Sequence, residues 1–310
     1  MGPRRVRAIS IGPAASEALR GGVSGDVHSI FERAFNILIG GELVGVARSG
    51  VSRSPINLVT DIPTSESMPS LGVRKGMQVQ KVGGLLLIGD VLEISLEGAE
   101  LWQPKTRAER CLGPELIKRN LELAKRLAAN KSGREGLGQL LPNVEEIVSG
   151  IVPHVSYSNQ VIEVALPHLV NLVKSVRAGD VRGVEESAQK LVGLGPGLSP
   201  SADDALSGFT ASLWWVSRSL NRGINSVKGI NETIVSCSGT TTLLSQQLLR
   251  HAAKGETNER VGGLLEAILA GTTSDVEKGV EEVLQIGETS GIDIMVGLLL
   301  GVQLGLEMRG

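Results

Sequence analysis

The chain changes character near Pro104, and that change limits the folds open to it more than any other feature. Before it, across residues 30–102, apolar residues come in short runs broken by glycine. Residues 35–39 and 43–47 flank Gly40-Gly41-Glu42, the composition of a hairpin turn. Residues 56–60 form another β-branched run. Val79, Val82, residues 85–88, residues 91–94 and Leu96 follow, punctuated by Gly83-Gly84, Gly89-Asp90 and Gly98-Ala99. Strands so short and closely spaced predict a small barrel or sandwich rather than a sheet built from strand–helix–strand units. Residues 61–75, rich in serine and proline, read as a long surface loop.

After Pro104 the apolar spacing becomes helical. Leu116, Ile117, Leu121, Leu123, Ala124 and Leu127 share one face of a helix. Residues 131–138 read as a connecting loop. Helices are then predicted over 143–149, 160–178, 181–192, 202–220, 241–253, 259–270, 275–287 and 292–307. Pro167 should kink or break the second of these. No repeat period emerges, which argues against a solenoid. The expectation is an α+β protein, with a β-rich domain over 1–105 and a helical domain over 106–310; its length of 310 residues fits two domains.

Composition excludes several functions. The chain carries 31 basic and 33 acidic residues, for a net charge of −2, so it lacks the basic footprint of a nucleic-acid binder. Aromatic residues are only 2%, too few for a base-stacking platform. Two distant cysteines, Cys111 and Cys237, suit a reducing compartment better than a disulfide framework. The N-terminus has basic residues without an apolar stretch behind them, unlike a signal peptide. The longest apolar run, residues 294–306, falls short of the roughly 20 residues a membrane span requires. These features predict a cytoplasmic protein that binds neither membrane nor nucleic acid.

The most unusual segment runs Gly193-Leu194-Gly195-Pro196-Gly197-Leu198-Ser199-Pro200-Ser201-Ala202-Asp203-Asp204. Alternating glycines with two prolines suit neither a helix nor a central strand, and predict a rigid loop whose backbone can approach a ligand. The loop opens a helix, with Ser201 placed as its N-cap and Asp204 three residues on, as in a capping box. Such a loop offers free N–H groups to an anion, yet Asp203 and Asp204 would repel a bare one unless a divalent cation such as Mg²⁺ or an arginine intervened. A helix cap with a tight interdomain turn explains the same residues. It is not a phosphate-binding loop of the lysine–serine type.

A second segment repeats the spacing: Ser290 and Asp293, with Gly291 between them, match Ser201 and Asp204. Glycine follows each aspartate four residues later, at Gly208 and Gly297. Ordinary capping would produce either one. A third helix start, Cys237 to Thr242, gathers hydroxyls including Thr241, which either cap the helix or line a shared polar pocket. Gly297, Gly301 and Gly305 form a stripe for close helix packing. His28, His154, His168 and His251 fit no metal-ligand spacing. Cys237 reads as a small buried residue, and Trp214-Trp215 as core or interface.

The segment GLGPGLSPSADDALSGF resembles the GxGPGLTPSGDD-x-x-x-G signature of the AllH family, which includes a subunit of oxamate carbamoyltransferase in the breakdown of allantoin-derived oxalurate. TTLLSQQLLRHAAKGE is similar to that family's Thr-x-Leu-Ser helix, GETSGIDIMVGLLLG to its GHTSG-x-D motif, and SIFERAFNILIGGELVGVA to its opening strands. The likeness runs from about Ser29 to the C-terminus. Three positions depart from the pattern: Ser199 stands for the usual threonine, Ala202 for glycine and Glu288 for histidine. The resemblance implies a subunit of a small-molecule enzyme that transfers a carbamoyl group between phosphate and a small carboxylate or ureido compound. Gly195, Pro196, Gly197, Ser199, Ser201, Thr241, Ser290 and Gly291 would then bind substrate. Asp203, Asp204 and Asp293 would orient substrate nitrogen or hold a cation, Mg²⁺ being the candidate. The implied partners are a small anionic substrate and either further subunits or a second copy of the chain. Two other readings stay open: a non-catalytic binding or scaffold subunit, and an aspartate-dependent metal hydrolase.

Overall fold

The alternation of Val6, Ala8 and Ser10 with Arg5 and Arg7 makes the first strand, β1 (Arg4–Ile11), one-sided: the first set is buried and the arginines face out. The computed structural model, which describes residues 2–131, 136–154 and 159–308, divides into two units, Met1–Pro104 and Lys105–Gly310. The first unit continues through a short helix, α1 (Pro13–Ala18), and β2 (Ser24–Ile30). Then come β3 (Ala34–Ile39), β4 (Glu42–Ala47), β5 (Asn57–Thr60), β6 (Gln78–Val82), β7 (Leu85–Ile88), β8 (Leu92–Ser95) and β9 (Glu100–Leu101). The hairpin expected at Gly40-Gly41 joins β3 to β4, both glycines with positive φ.

The sheet closes on itself through β1. Its first half pairs parallel with β8 (Arg4 to Arg7 against Leu92 to Ser95), and its second half pairs antiparallel with β5 (Ala8 opposite Thr60, Ile11 opposite Leu58). The ring runs β1-β5-β4-β3-β2-β6-β7-β8 and is an eight-stranded barrel, with β9 added along Ser10 and Ile11. Inward side chains such as Val27, Phe35, Ile37, Val44, Leu58, Leu86 and Ile94 fill it, joined by Ala15 and Leu19 of the α1 region. Residues 61–75 are no mere surface loop. They contain a 3₁₀ turn over Met68–Leu71, and Ile62, Met68 and Val73 are buried in the barrel core. The strands before residue 30 lie outside the sequence-based expectation, because the arginines of β1 disguise its alternation.

The second unit is helical: α2 (Pro114–Lys131), α3 (Val144–Val148), α4 (Gln160–Ala178), α5 (Val181–Leu191), α6 (Ser201–Leu220), α7 (Ile224–Ser236), α8 (Leu243–Ala252), α9 (Glu259–Ala270), α10 (Thr273–Leu284) and α11 (Ser290–Glu307). Residues 132–135 of the loop expected at 131–138 lie outside the described residues; Gly138–Asn143 is a 3₁₀ turn. Helix α4 runs through Pro167 without a break. That proline is on the exposed face, where water can satisfy the carbonyl that loses its partner. Helix α7 escapes the sequence-based reading altogether.

The core of this unit is a pair of helices, α6 and α11. Gly297 of α11 lies so close to Ala205 of α6 that a Cβ would run into the Ala205 carbonyl, and Gly208 of α6 stands likewise against the Ile294 carbonyl. Further along, Gly301 meets Phe209 and Ser212, and Gly305 meets Val216. Contacts advance together along both helices, so the two are parallel and their N-termini end side by side. Helix α11 is the one helix among the described residues long and apolar enough to cross a membrane, and 67% of it is buried inside the protein. Its apolarity is that of a core helix.

Candidate functional site

Two parallel N-termini bring their first turns together, and both turns are acidic: Asp203 and Asp204 on α6, Asp293 on α11. Glycine at 297 and 208 permits this, since larger residues would push the helices apart. All three aspartates are buried, with exposures of 1%, 3% and 0%. Ionised carboxylates are favoured at helix N-termini but disfavoured out of water, so the outcome depends on the donors around them.

Neither serine caps its helix as the sequence suggests. The N-cap of α6 is Pro200 and that of α11 is Thr289, and neither makes a side-chain cap bond. Ser201 and Ser290 are instead the first residues inside their helices. The Ser290 hydroxyl supports the charge of Asp204, and the Ser201 hydroxyl that of Asp293. Each helix therefore lends a first-turn hydroxyl to the aspartate of the other. The reciprocal capping box of this chain lies elsewhere, between Thr272 and Asp275 of α10.

Asp203 is the anchored member of the three. Its Oδ1 accepts from the Gly193 N–H at 2.8 Å, and its Oδ2 from the Thr241 hydroxyl. Burial pushes its pKa up, against the hydrogen bonds from Thr241, Gly193 and Ser245. The loop is stitched down beside it: the Leu198 carbonyl accepts from Thr242 Oγ1 at 2.6 Å, and the Ala202 N–H donates to the Leu194 carbonyl at 3.0 Å.

Asp204 and Asp293 each have one satisfied and one unsatisfied oxygen. Asp204 Oδ1 accepts from Ser199 Oγ, and Asp293 Oδ1 accepts from the Leu137 N–H at 2.5 Å. The Oδ2 atom of each is buried with no partner at hydrogen-bonding distance. Burial pushes Asp204 up to about 8, with the charges of Asp293 and Asp203 adding to it and the Ser199 and Ser290 hydroxyls opposing. Asp293 is pushed up by burial to about 6, opposed by Leu137 N–H, Ser201 and Thr289. Both carboxyls are therefore easier to protonate than a free aspartate, Asp204 more so than Asp293.

The structure sorts the remaining sequence-predicted residues. Gly195, with φ +123, lies against the Ser201 N–H, where a Cβ would come within 2.6 Å. Pro196 and Gly197 are exposed at the loop tip. Gly291 is buried, its N–H donated to the Ile286 carbonyl at 2.9 Å. Glu288 is exposed. Gly136 and Leu137 belong to the site and are invisible in the motifs: a Cβ on Gly136 would strike the Asp293 carboxylate. Among the described residues, no three His, Cys, Asp or Glu side chains gather closely enough to hold a metal ion. His251 instead pairs with Glu256, Nδ1 to Oε2 at 2.6 Å.

The fold and site define a class: a β-barrel unit joined to a helical unit that buries three aspartates at paired helix N-termini. A family model described as the oxamate carbamoyltransferase subunit AllH matches residues 191–302, and one described as the AllH family N-terminal domain matches residues 7–101. The chain belongs to the AllH family. No solved structure matches it. The matched stretch 191–302 contains the whole glycine loop and all three aspartates, whereas Gly136 and Leu137 fall outside both matches.

Proposed function

We propose that this chain is a subunit of a carbamoyltransferase of the oxamate type, and that the paired N-termini of α6 and α11 form its substrate site. The observation that carries this reading is the buried trio Asp203, Asp204 and Asp293, two of whose oxygens lack partners, in the stretch that matches the AllH subunit. Buried polar atoms left unpaired cost free energy, and functional sites are where proteins tolerate that cost. The reaction is transfer of a carbamoyl group between phosphate and the nitrogen of a small amide-bearing carboxylate. In the synthetic direction the nitrogen bonds to the carbamoyl carbon, the bond from that carbon to the phosphate oxygen breaks, and the nitrogen gives up a proton. No side chain here is an activated nucleophile, so catalysis rests on positioning and electrostatics.

A second reading, a non-catalytic subunit, is favoured by the depth of the site, with Asp293 out of solvent altogether. One experiment separates the two. The chain is purified alone and together with the subunits that co-purify from its source, and transfer from carbamoyl phosphate to oxamate is followed. Activity that falls by about a hundredfold or more in Asp293→Asn supports a catalytic site here. Activity that needs the chain but ignores that substitution supports the non-catalytic reading. No transfer in any preparation overturns the proposal.

A further inference from the structure

Three features outside the aspartate trio invite inspection and carry less. A cleft of about 490 Å³ on the barrel is lined by Arg5, Arg7, Asp61 and Glu93, whose charges already pair with one another. The exposed Leu85 in its wall has nothing that indicates an occupant. Lys125, buried in the helical unit, is paired with Glu122 and Glu145. The two unpartnered oxygens at the paired N-termini go further.

Asp204 Oδ2 and Asp293 Oδ2 stand in equivalent places, fourth in their helices and each beside a first-turn serine of the other. The second oxygen of each side chain is already taken, by Ser199 and by Leu137. None of the three aspartates has an ion-pair partner among the described residues, so a bound anion would meet acidic groups that no cation among those residues offsets. A divalent metal would want more ligands than converge here. The complementary guest is neutral and planar, with a hydrogen-bond acceptor and an N–H donor side by side. A carbamoyl group has that pattern in its carbonyl oxygen and its –NH₂.

We infer that Asp204 and Asp293 are the carbamoyl-recognition pair: Asp204 Oδ2 carries a proton and donates it to the carbamoyl oxygen, while Asp293 Oδ2 accepts from the carbamoyl –NH₂. The separation of the two acidities set by burial and mutual repulsion agrees with these roles. A neutral acid on the carbonyl oxygen also stabilises the negative charge that develops there when a nucleophile attacks the carbon. The proton stays on Asp204 as a hydrogen bond, and no covalent bond to the protein forms. Both oxygens are out of solvent, so a guest reaches them only where the chain around them gives way. The inference rests on the proposed site and specifies which residues read the carbamoyl group.

The test compares two probes on the full-length chain by isothermal titration at neutral pH, alone and with co-purifying subunits. Carbamoyl phosphate and acetyl phosphate share the phosphate and the carbonyl, and differ only in –NH₂ against –CH₃. The wild-type chain should prefer carbamoyl phosphate by about tenfold or more, because a buried acceptor built for N–H is left unpaired by methyl. Asp293→Asn, which removes the acceptor, should abolish the preference. Asp204→Asn keeps a neutral N–H donor and should retain it, whereas Asp204→Ala should weaken both probes alike. Equal affinity for the two probes, or binding of neither, overturns the inference, and the wild-type comparison requires no variant to fold. Transfer activity without the preference for –NH₂ would leave the proposed reaction standing and remove only this assignment.

Discussion

Asp204 and Asp293 occupy the same position, the fourth residue, in two parallel helices whose N-termini lie side by side. Helix N-termini ordinarily welcome a carboxylate, but here two positive ends receive three acids buried from bulk solvent. Such crowding favours keeping at least one acid protonated, since like charges in one buried site raise each other's pKa. The reciprocal serines soften the repulsion without removing it.

That relationship fixes the sign of a pH effect. The folded pKa of Asp204, about 8, lies above its unfolded value near 3.9. Between those values the native state holds a proton that the unfolded state has lost, so stability falls as pH rises, by at most ~1.4 kcal/mol per pH unit for this group. The contribution is complete below about pH 4 and gone above about 8. Asp293 acts in the same sense up to about 6, and Asp203 acts in the same direction. Asn at position 204 does not titrate. Thermal unfolding from pH 5 to 9 should show Asp204→Asn gaining on the wild type as pH rises, with the gap levelling off above about 8. Parallel curves for the two proteins would mean that Asp204 is not protonated in the folded state.

Close approach of α6 and α11 predicts a second outcome. Gly297→Ala would drive a methyl into the Ala205 carbonyl, and neither helix backbone can yield without separating the aspartates. A loss of about 3 kcal/mol or more is expected from overpacking at a backbone contact. Gly263→Ala, in α9, meets nothing within 4 Å and should gain roughly 0.5–1 kcal/mol from helix propensity. Urea unfolding of both variants checks the pair, and similar midpoints would contradict the parallel packing.

Much of this was legible in sequence, for identifiable reasons. The barrel announced itself through glycine-punctuated runs such as those flanking Gly40-Gly41, and the glycine stripe of α11 through its regular spacing. Helix α7 was missed because it begins with Ile224-Asn225-Ser226 and carries Gly229, weak helix formers that mask the spacing of Val227, Ile230 and Ile234. In the site, Ser201–Asp204 and Ser290–Asp293 were visible as local capping pairs, whereas the structure uses them across two helices. A periodic pattern reports one helix at a time and is silent on which helix starts meet. Gly136 and Leu137 gave no signal at all: a backbone N–H leaves no mark on residue type.

Gly136 supplies the third test. It has φ +56, and its Cα lies over the Asp293 carboxylate. Gly136→Ala would both strain the backbone, at a cost of about 1 kcal/mol or more, and push Leu137 N–H off Asp293 Oδ1. Loss of that donor should raise the Asp293 titration point further, since burial would then be opposed by Ser201 and Thr289 alone. The carbonyl stretch of a protonated Asp293, followed by infrared difference spectroscopy against Asp293→Asn, should move to higher pH in the variant. An unmoved titration would show that the Leu137 N–H does not hold this carboxylate.

Ser199 gives the last, because its hydroxyl donates to Asp204 Oδ1. The family signature that the segment resembles has threonine here, and threonine keeps the oxygen while adding one methyl at a half-buried position. Ser199→Thr should therefore stay within about 0.5 kcal/mol of the wild type. Ser199→Ala removes the hydrogen bond to Asp204 Oδ1 and leaves the Ser290 hydroxyl as its remaining support, for a cost of roughly 1–3 kcal/mol at pH 9, where the group is ionised. At pH 6 the carboxyl is neutral and less in need of a donor, so the same substitution should cost less. Unfolding free energies of the two variants at both pH values decide the matter. If Ser199→Ala costs the same at pH 6 and pH 9, the serine is a loop-packing residue and the charge on Asp204 does not depend on it.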